Sequence, residues 1–165
     1  MLTFYTILDR LAVLQLAMAG LAVLGILVTI TVDIAMRALF NSAFSSTIEI
    51  VSYYYMAPIA ILPIATLELK DRHIRTDLFY RLFPQTGRAV SDIIAGCLTV
   101  GIYSLLAWVS WKQALTSTTA GELAMGIAML PIWPVRWIVP FAFAVSAVIA
   151  LFLMIHPLIM RRHND

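Results

Sequence analysis

Four long apolar runs alternate with short polar connections along the chain: Leu11 to Val32, Ile50 to Leu67, Ile93 to Trp111, and Trp137 to Ile155. Each approaches the roughly 20 residues that a helix needs to cross about 30 Å of hydrocarbon. The pattern therefore predicts an all-α integral membrane protein, with residues 1–165 forming a single domain of four transmembrane helices. The first run is longer than the core of a signal peptide, and it is followed by "VDIAMRALFN", which holds no small-residue cleavage site, so it reads as a retained helix. Pro58 and Pro63 interrupt the second run. Lipid-embedded helices tolerate proline because neighbours re-satisfy the freed carbonyls, and the pair predicts a bend there.

Between the second and third runs, residues 70–88 hold the densest cluster of charge, seven of the chain's twenty charged residues. Thr76 is placed to cap a short helix that begins at Asp77, whose carboxylate suits a helix start, and Pro84 ends it. Leu78, Phe79, Leu82 and Phe83 then share one face, the pattern of a helix lying in the membrane interface and anchoring the neighbouring spans. The third connection, "KQALTSTTAGELAMGIAMLPIWPVRW", opens with a Thr/Ser/Gly part that reads as a loop. Its apolar second part is suited to dip into the interface or to lie against another protein.

Composition agrees with the membrane reading: 62% of the 165 residues are hydrophobic and 12% are charged, with a mean hydropathy of +0.93. Soluble domains are nearer 25% charged. The single cysteine, Cys97, cannot supply an intramolecular disulfide or a thiol pair. A net charge of +2 speaks to orientation in a bilayer and not to nucleic acid. Arg10, Lys70, Arg72, Arg75, Arg81, Arg88, Arg161 and Arg162 fall on one side of a four-span topology, and Arg37, Lys112 and Arg136 on the other. The positive-inside rule thus places both termini in the cytoplasm.

Candidate chemistry is sparse. His73 and Asp77 are four apart, a spacing seen among metal ligands, but a site needs three or four such groups and only Asp71 is near; a local hydrogen bond or salt link that fixes the turn is the plainer reading. Asp33 and Arg37 are also four apart, acid first, the favourable order for a helical ion pair. With Gly25 and Thr29 they form a stripe of small and polar residues on which another helix can approach. Glu49 opens the second span and Arg136 the fourth, and either is a possible partner for Arg37 or Asp33. Trp133 and Trp137 read as interfacial anchors, and Ala142, Ser146 and Ala150 give the fourth span its own small-residue face, with Gly96, Cys97 and Gly101 forming a similar patch on the third.

The interiors of the four runs lack Asp, Glu, Lys, Arg and His, and His73, His156 and His163 lie at edges. Ionisable groups deep in spans mark proton relays, ion routes or haem ligands. Their absence argues for a helper whose chemistry resides in a partner, with no catalytic, cofactor or metal residue of its own. Two other classes were weighed. A self-contained homo-oligomeric exporter or channel requires a polar path, and a thiol or haem oxidoreductase requires more than Cys97 and edge histidines.

The order of short motifs around the spans resembles the small membrane subunit (Q subunit) of tripartite ATP-independent periplasmic (TRAP) transporters. "DIAMRALFN" resembles that family's end to its first helix through Asp33, Arg37, Phe40 and Asn41, and Glu49 is similar to the acid that opens its second. "HIRTD" and "LFYRLFP" resemble its central turn through His73, Ile74, Asp77 and Pro84. "LPIWPVRWIVP" resembles the approach to its fourth helix through Leu130, Pro131, Trp133 and Pro140. The resemblance implies a bacterial inner-membrane complex with a large multi-span subunit that carries the sodium and substrate sites. It also implies a periplasmic binding protein that delivers an organic acid, and for this chain a scaffold role among membrane lipids, with Asp33, Arg37, Asn41, Glu49, His73, Asp77, Trp133 and Arg136 as structural or partner-contact residues. Replacing His73 by glutamine is expected to leave the metal content of the purified protein at background; stoichiometric metal lost on that substitution would revive the ligand reading.

Overall fold

The computed structural model describes residues 2–41, 46–70, 85–124 and 129–161. The predicted interfacial helix, with His73 and Asp77, lies outside the described residues. The elements run α1 (Leu2–Phe40), α2 (Thr47–Ile50), a π-helical turn (Val51–Tyr55), α3 (Met56–Ile61), α4 (Ile64–Leu69), α5 (Gln85–Ala120), α6 (Trp133–Arg136) and α7 (Ile138–Arg161). Among the described residues there is no strand, only an isolated bridge between Leu123 and Pro131. Four segments are long and apolar enough to cross a membrane: Tyr5–Phe40, Thr47–Leu69, Ser91–Ala120 and Trp133–Ile155.

These helices outrun the apolar runs because hydropathy marks the crossing, whereas a helix continues until local chemistry stops it. α1 ends at Asn41, whose φ of 55° is left-handed, a conformation asparagine tolerates better than most residues. α5 passes through the Thr/Ser-rich stretch expected to be a loop and stops only at Gly121. There Thr116, Thr118 and Thr119 donate their hydroxyl hydrogens to the carbonyls of Lys112, Ala114 and Thr116 at 3.0, 2.7 and 3.0 Å. Such back-bonding occupies hydroxyls that would otherwise compete for the backbone. Gly121, at φ 59°, then closes the helix: its N–H bonds to Thr118 O and that of Glu122 to Ser117 O, the paired pattern of a left-handed glycine cap.

The second span is built in pieces, as its two prolines predict. Pro58 has no N–H for the carbonyl of Tyr54, and the chain just before it widens into the π turn, where Met56 N–H reaches back to Val51 O. Pro63 separates α3 from α4. Ordinary helical bonds resume on both sides of the break, from Leu62 N–H to Pro58 O and from Leu67 N–H to Pro63 O, each at 3.0 Å.

The fourth span, α6 with α7, packs on α5 along one flank and on α3 and α4 along another, while α1 packs on the second span and touches α7. Small residues occupy these seams. Ala12, Ala65, Ala142, Ser146 and Ala150 are all buried, together with Leu8, Leu62, Leu69 and Ile149. The small face predicted for the fourth span is thus its packing face. Thr66 Oγ1–H donates to Ala12 O at 2.9 Å across the seam between the first and second spans. Large apolar side chains such as Leu21, Leu24, Leu27, Leu98, Leu105 and Trp108 point outward. A bundle in lipid has this inverted dress, because tails are as apolar as leucine and close backbone approach becomes the main attraction.

Gly25 shows how tight one approach is. A Cβ built there would lie 2.7 Å from Cε1 of Tyr55, whereas at Gly20 it would meet nothing within 4 Å. Gly25→Leu is expected to push Tyr55 aside and to destabilise the bundle by about 1–3 kcal/mol, the usual cost of overpacking. Gly20→Leu is expected to leave the thermal unfolding midpoint of the solubilised protein unchanged. Equal midpoints for the two variants would show that the seam is not close-packed at Gly25.

Candidate assembly site

Of the residues singled out in the sequence, Asp33, Arg37, Asn41, Glu49, Trp133 and Arg136 lie on the side of the bundle that carries the first and third connections. Asp33 sits near the end of the first span with its side chain mostly buried, and Arg37, one turn on, reaches back to it. Arg37 Nε–H donates to Asp33 Oδ2 at 3.0 Å, and a second guanidinium nitrogen lies 2.9 Å from the same oxygen. The Arg37 side chain remains 58% exposed, so the pair neutralises a buried carboxylate while leaving most of the guanidinium surface open to a neighbour. The stripe behind it is occupied: the Tyr55 ring lies over Gly25, and Thr29 Oγ1–H donates to Tyr55 Oη at 3.4 Å. The helix that approaches this face is therefore the second span of the same chain. Asn41 is exposed at the end of α1, and Glu49 is half-buried in the first turn of α2.

Arg136 pairs with neither Asp33 nor Arg37. Its guanidinium donates to Glu122 Oε1 in the third connection. Around this ion pair the connection is closed into a small hairpin: Ala124 N–H bonds to Leu130 O at 2.7 Å and Ile132 N–H to Glu122 O at 3.0 Å. Tyr54 Oη–H donates to Pro131 O, tying the second span to the same hairpin. Trp137 Nε1–H donates to Thr118 Oγ1 at 3.0 Å, and its ring meets Trp111 edge-on at 5.0 Å and tilts against Phe141 at 6.2 Å. Trp137 is thus held within an aromatic cluster, whereas Trp133 stays exposed. Arg136 Nε and Ser117 Oγ are buried at this junction without a partner among the described residues.

Sequence reasoning missed Glu122, although it is the one acid in that connection and faces the one arginine. The second apolar run stops at Leu67, one residue before Glu68. The helix continues to Leu69, and Tyr103 Oη–H of the third span donates to Glu68 Oε2 at 3.2 Å. His73 and Asp77 lie outside the described residues, and no cluster of three or more metal-ligating side chains occurs among the described residues. The arrangement can hold helix ends at fixed separation and present an arginine, a tryptophan and the paired base of the third connection to a neighbour; among the described residues it assembles no reaction centre.

A family model described as "Tripartite ATP-independent periplasmic transporters, DctQ component" matches residues 26–158. No curated protein matches the chain.

Removing either member of the Glu122–Arg136 pair, by Glu122→Gln or Arg136→Gln, is expected to speed amide exchange at Ala124 and Ile132 several-fold. Both members are partly solvated, so the effect on global stability should stay at or below about 1 kcal/mol. The double variant should exchange no faster than either single one. Unchanged exchange in the single variants would mean that the hairpin holds without the ion pair.

Proposed function

The chain belongs to the DctQ family of tripartite ATP-independent periplasmic transporter components, a transporter component and not an enzyme, and from that premise we propose that it is a small scaffold subunit that braces a large membrane partner. The family works within systems that also contain a large membrane component and a periplasmic binding protein. In our reading the large component carries the sodium and substrate sites, the binding protein delivers an organic anion, and this chain touches neither ion nor substrate. The chain is a multi-pass protein of the inner membrane. The excess of lysine and arginine on one side supports cytoplasmic termini and puts the Asp33–Arg37 pair and the Glu122–Arg136 hairpin on the periplasmic side.

The observation that carries this reading is where polarity goes. Among the described residues, the pairs Asp33–Arg37 and Glu122–Arg136 cluster at span ends, while the seams between spans are built of small and aliphatic side chains with a few hydroxyls and the amide of Gln15. Glu68 lies at the other end of the second span, and there it is engaged by Tyr103. Such a bundle offers ions no series of sites, but it can hold its depth and its lateral spacing while a neighbouring transport unit changes sides. Arg37, Asn41, Glu49, Trp133 and Arg136 are the groups placed to meet the large component or the lipid headgroups. No resident cofactor is invoked.

Extracted in mild detergent, the tagged chain should bring a large multi-span partner with it, and reconstituted alone in liposomes it should move no solute. Solitary extraction together with solute flux would replace the scaffold with a homo-oligomeric exporter or channel. Arg37→Ala is expected to weaken assembly and uptake without changing which anion is preferred; a changed preference would put this chain at the substrate site.

A further inference from the structure

The second and third spans both rest on the fourth and make little direct contact with each other in the described residues. A side-chain bond crosses between them: Tyr103 Oη–H donates to Glu68 Oε2 at 3.2 Å. Tyr103 stands eleven positions after Asp92 and nine before Lys112, the charged residues that bracket the third span. At the helical rise these are about 16 Å and 13 Å along the axis, so Tyr103 stands near the middle of that span's apolar stretch. Glu68 meets it from the end of the second span because side chains on a helix tilt toward its N-terminal end. The second span runs in the opposite direction to the third, so Glu68 tilts toward the bilayer centre, Tyr103 tilts back the other way, and the two converge. The Tyr103 ring is held in turn against Phe143, with centroids 6.3 Å apart.

The third span needs such a restraint. None of the residues in its apolar window is buried, whereas each of the other three spans buries part of its own. Its packing partners are the fourth-span elements α6 and α7, and a helix seated on one neighbour in lipid is free to roll about that contact. A directed bond from a second helix restrains that roll. We infer that Glu68 is a positioning residue: through Tyr103 it sets the rotation and lateral placement of the third span. This inference does not depend on the scaffold reading.

Spin labels test it in the full chain reconstituted in lipid bilayers. Cys97, the lone cysteine, is exposed on the third span, and Leu67→Cys places a second label at a position 41% exposed on the second. The distance between them should show one dominant population. Tyr103→Phe removes one oxygen and keeps the ring on Phe143, so it is the variant least able to disturb the fold. It should raise the fraction of displaced conformers roughly three- to tenfold, the factor expected for an interhelical hydrogen bond in a membrane. Glu68→Ala should match it, the double variant should go no further than either, and Glu68→Gln, which retains an acceptor, should stay close to the parent. An unchanged distribution in Tyr103→Phe, additive effects in the double variant, or Glu68→Gln behaving like Glu68→Ala would each overturn the inference.

Discussion

Lipid removes the force that assembles soluble bundles. An apolar helix gains nothing by exchanging hydrocarbon for leucine, so association has to come from close backbone approach and from polar groups whose alternative partner is missing. The bundle follows that constraint at each seam. Ala12 faces the second span beside Ala65, Gly25 admits the Tyr55 ring, and Ala142, Ser146 and Ile149 line the fourth span where its neighbours meet it. Hydroxyls at these seams are occupied, Thr66 by a carbonyl of the first span and Ser146 by the carbonyl of Ala142 at 3.0 Å. What remains outside is leucine, isoleucine and tryptophan, at home in tails or against another apolar helix.

The same constraint explains which features could be read along the chain. Spans were legible because each crossing imposes its length on the hydropathy pattern, and the small face of the fourth span was legible because helical periodicity is local. The Asp33–Arg37 pair was legible for the same reason, since its members are one turn apart. Helix ends were not: the stop at Gly121 depends on a left-handed cap, and the continuation through Thr116 to Ala120 depends on hydroxyls that turn back onto their own helix. Pairings across the fold were hidden too. Glu122 with Arg136, Tyr54 with Pro131, and Glu68 with Tyr103 join residues 14, 77 and 35 positions apart. Nothing in periodicity selects such pairs.

Glu68 shows how a correct count can still mislead about depth. An acid one residue beyond an apolar run reads as an edge residue, as it would be on an isolated helix. Spans in a bundle are of unequal length, however, and the second, interrupted by Pro58 and Pro63, is shorter than the first and third. Its end therefore lies alongside the interior of a longer neighbour. Whether a charge is at the surface is decided by the helices beside it as much as by the sequence around it.

The connection side and the membrane interior thus solve one problem by different means. At the connection side, water and headgroups solvate charge, so ion pairs there are individually weak and are reinforced by backbone bonds, as in the hairpin closed by Ala124, Leu130 and Ile132. Between the second and third spans, the Tyr103–Glu68 contact bridges two helices that otherwise barely meet. A protein whose task is to keep its shape beside a moving neighbour needs both, because the third span touches the rest of the bundle along only one flank. Restrained at its Trp111 end by the aromatic cluster with Trp137 and at mid-depth by Tyr103, that span can stay in register while its outer face remains open.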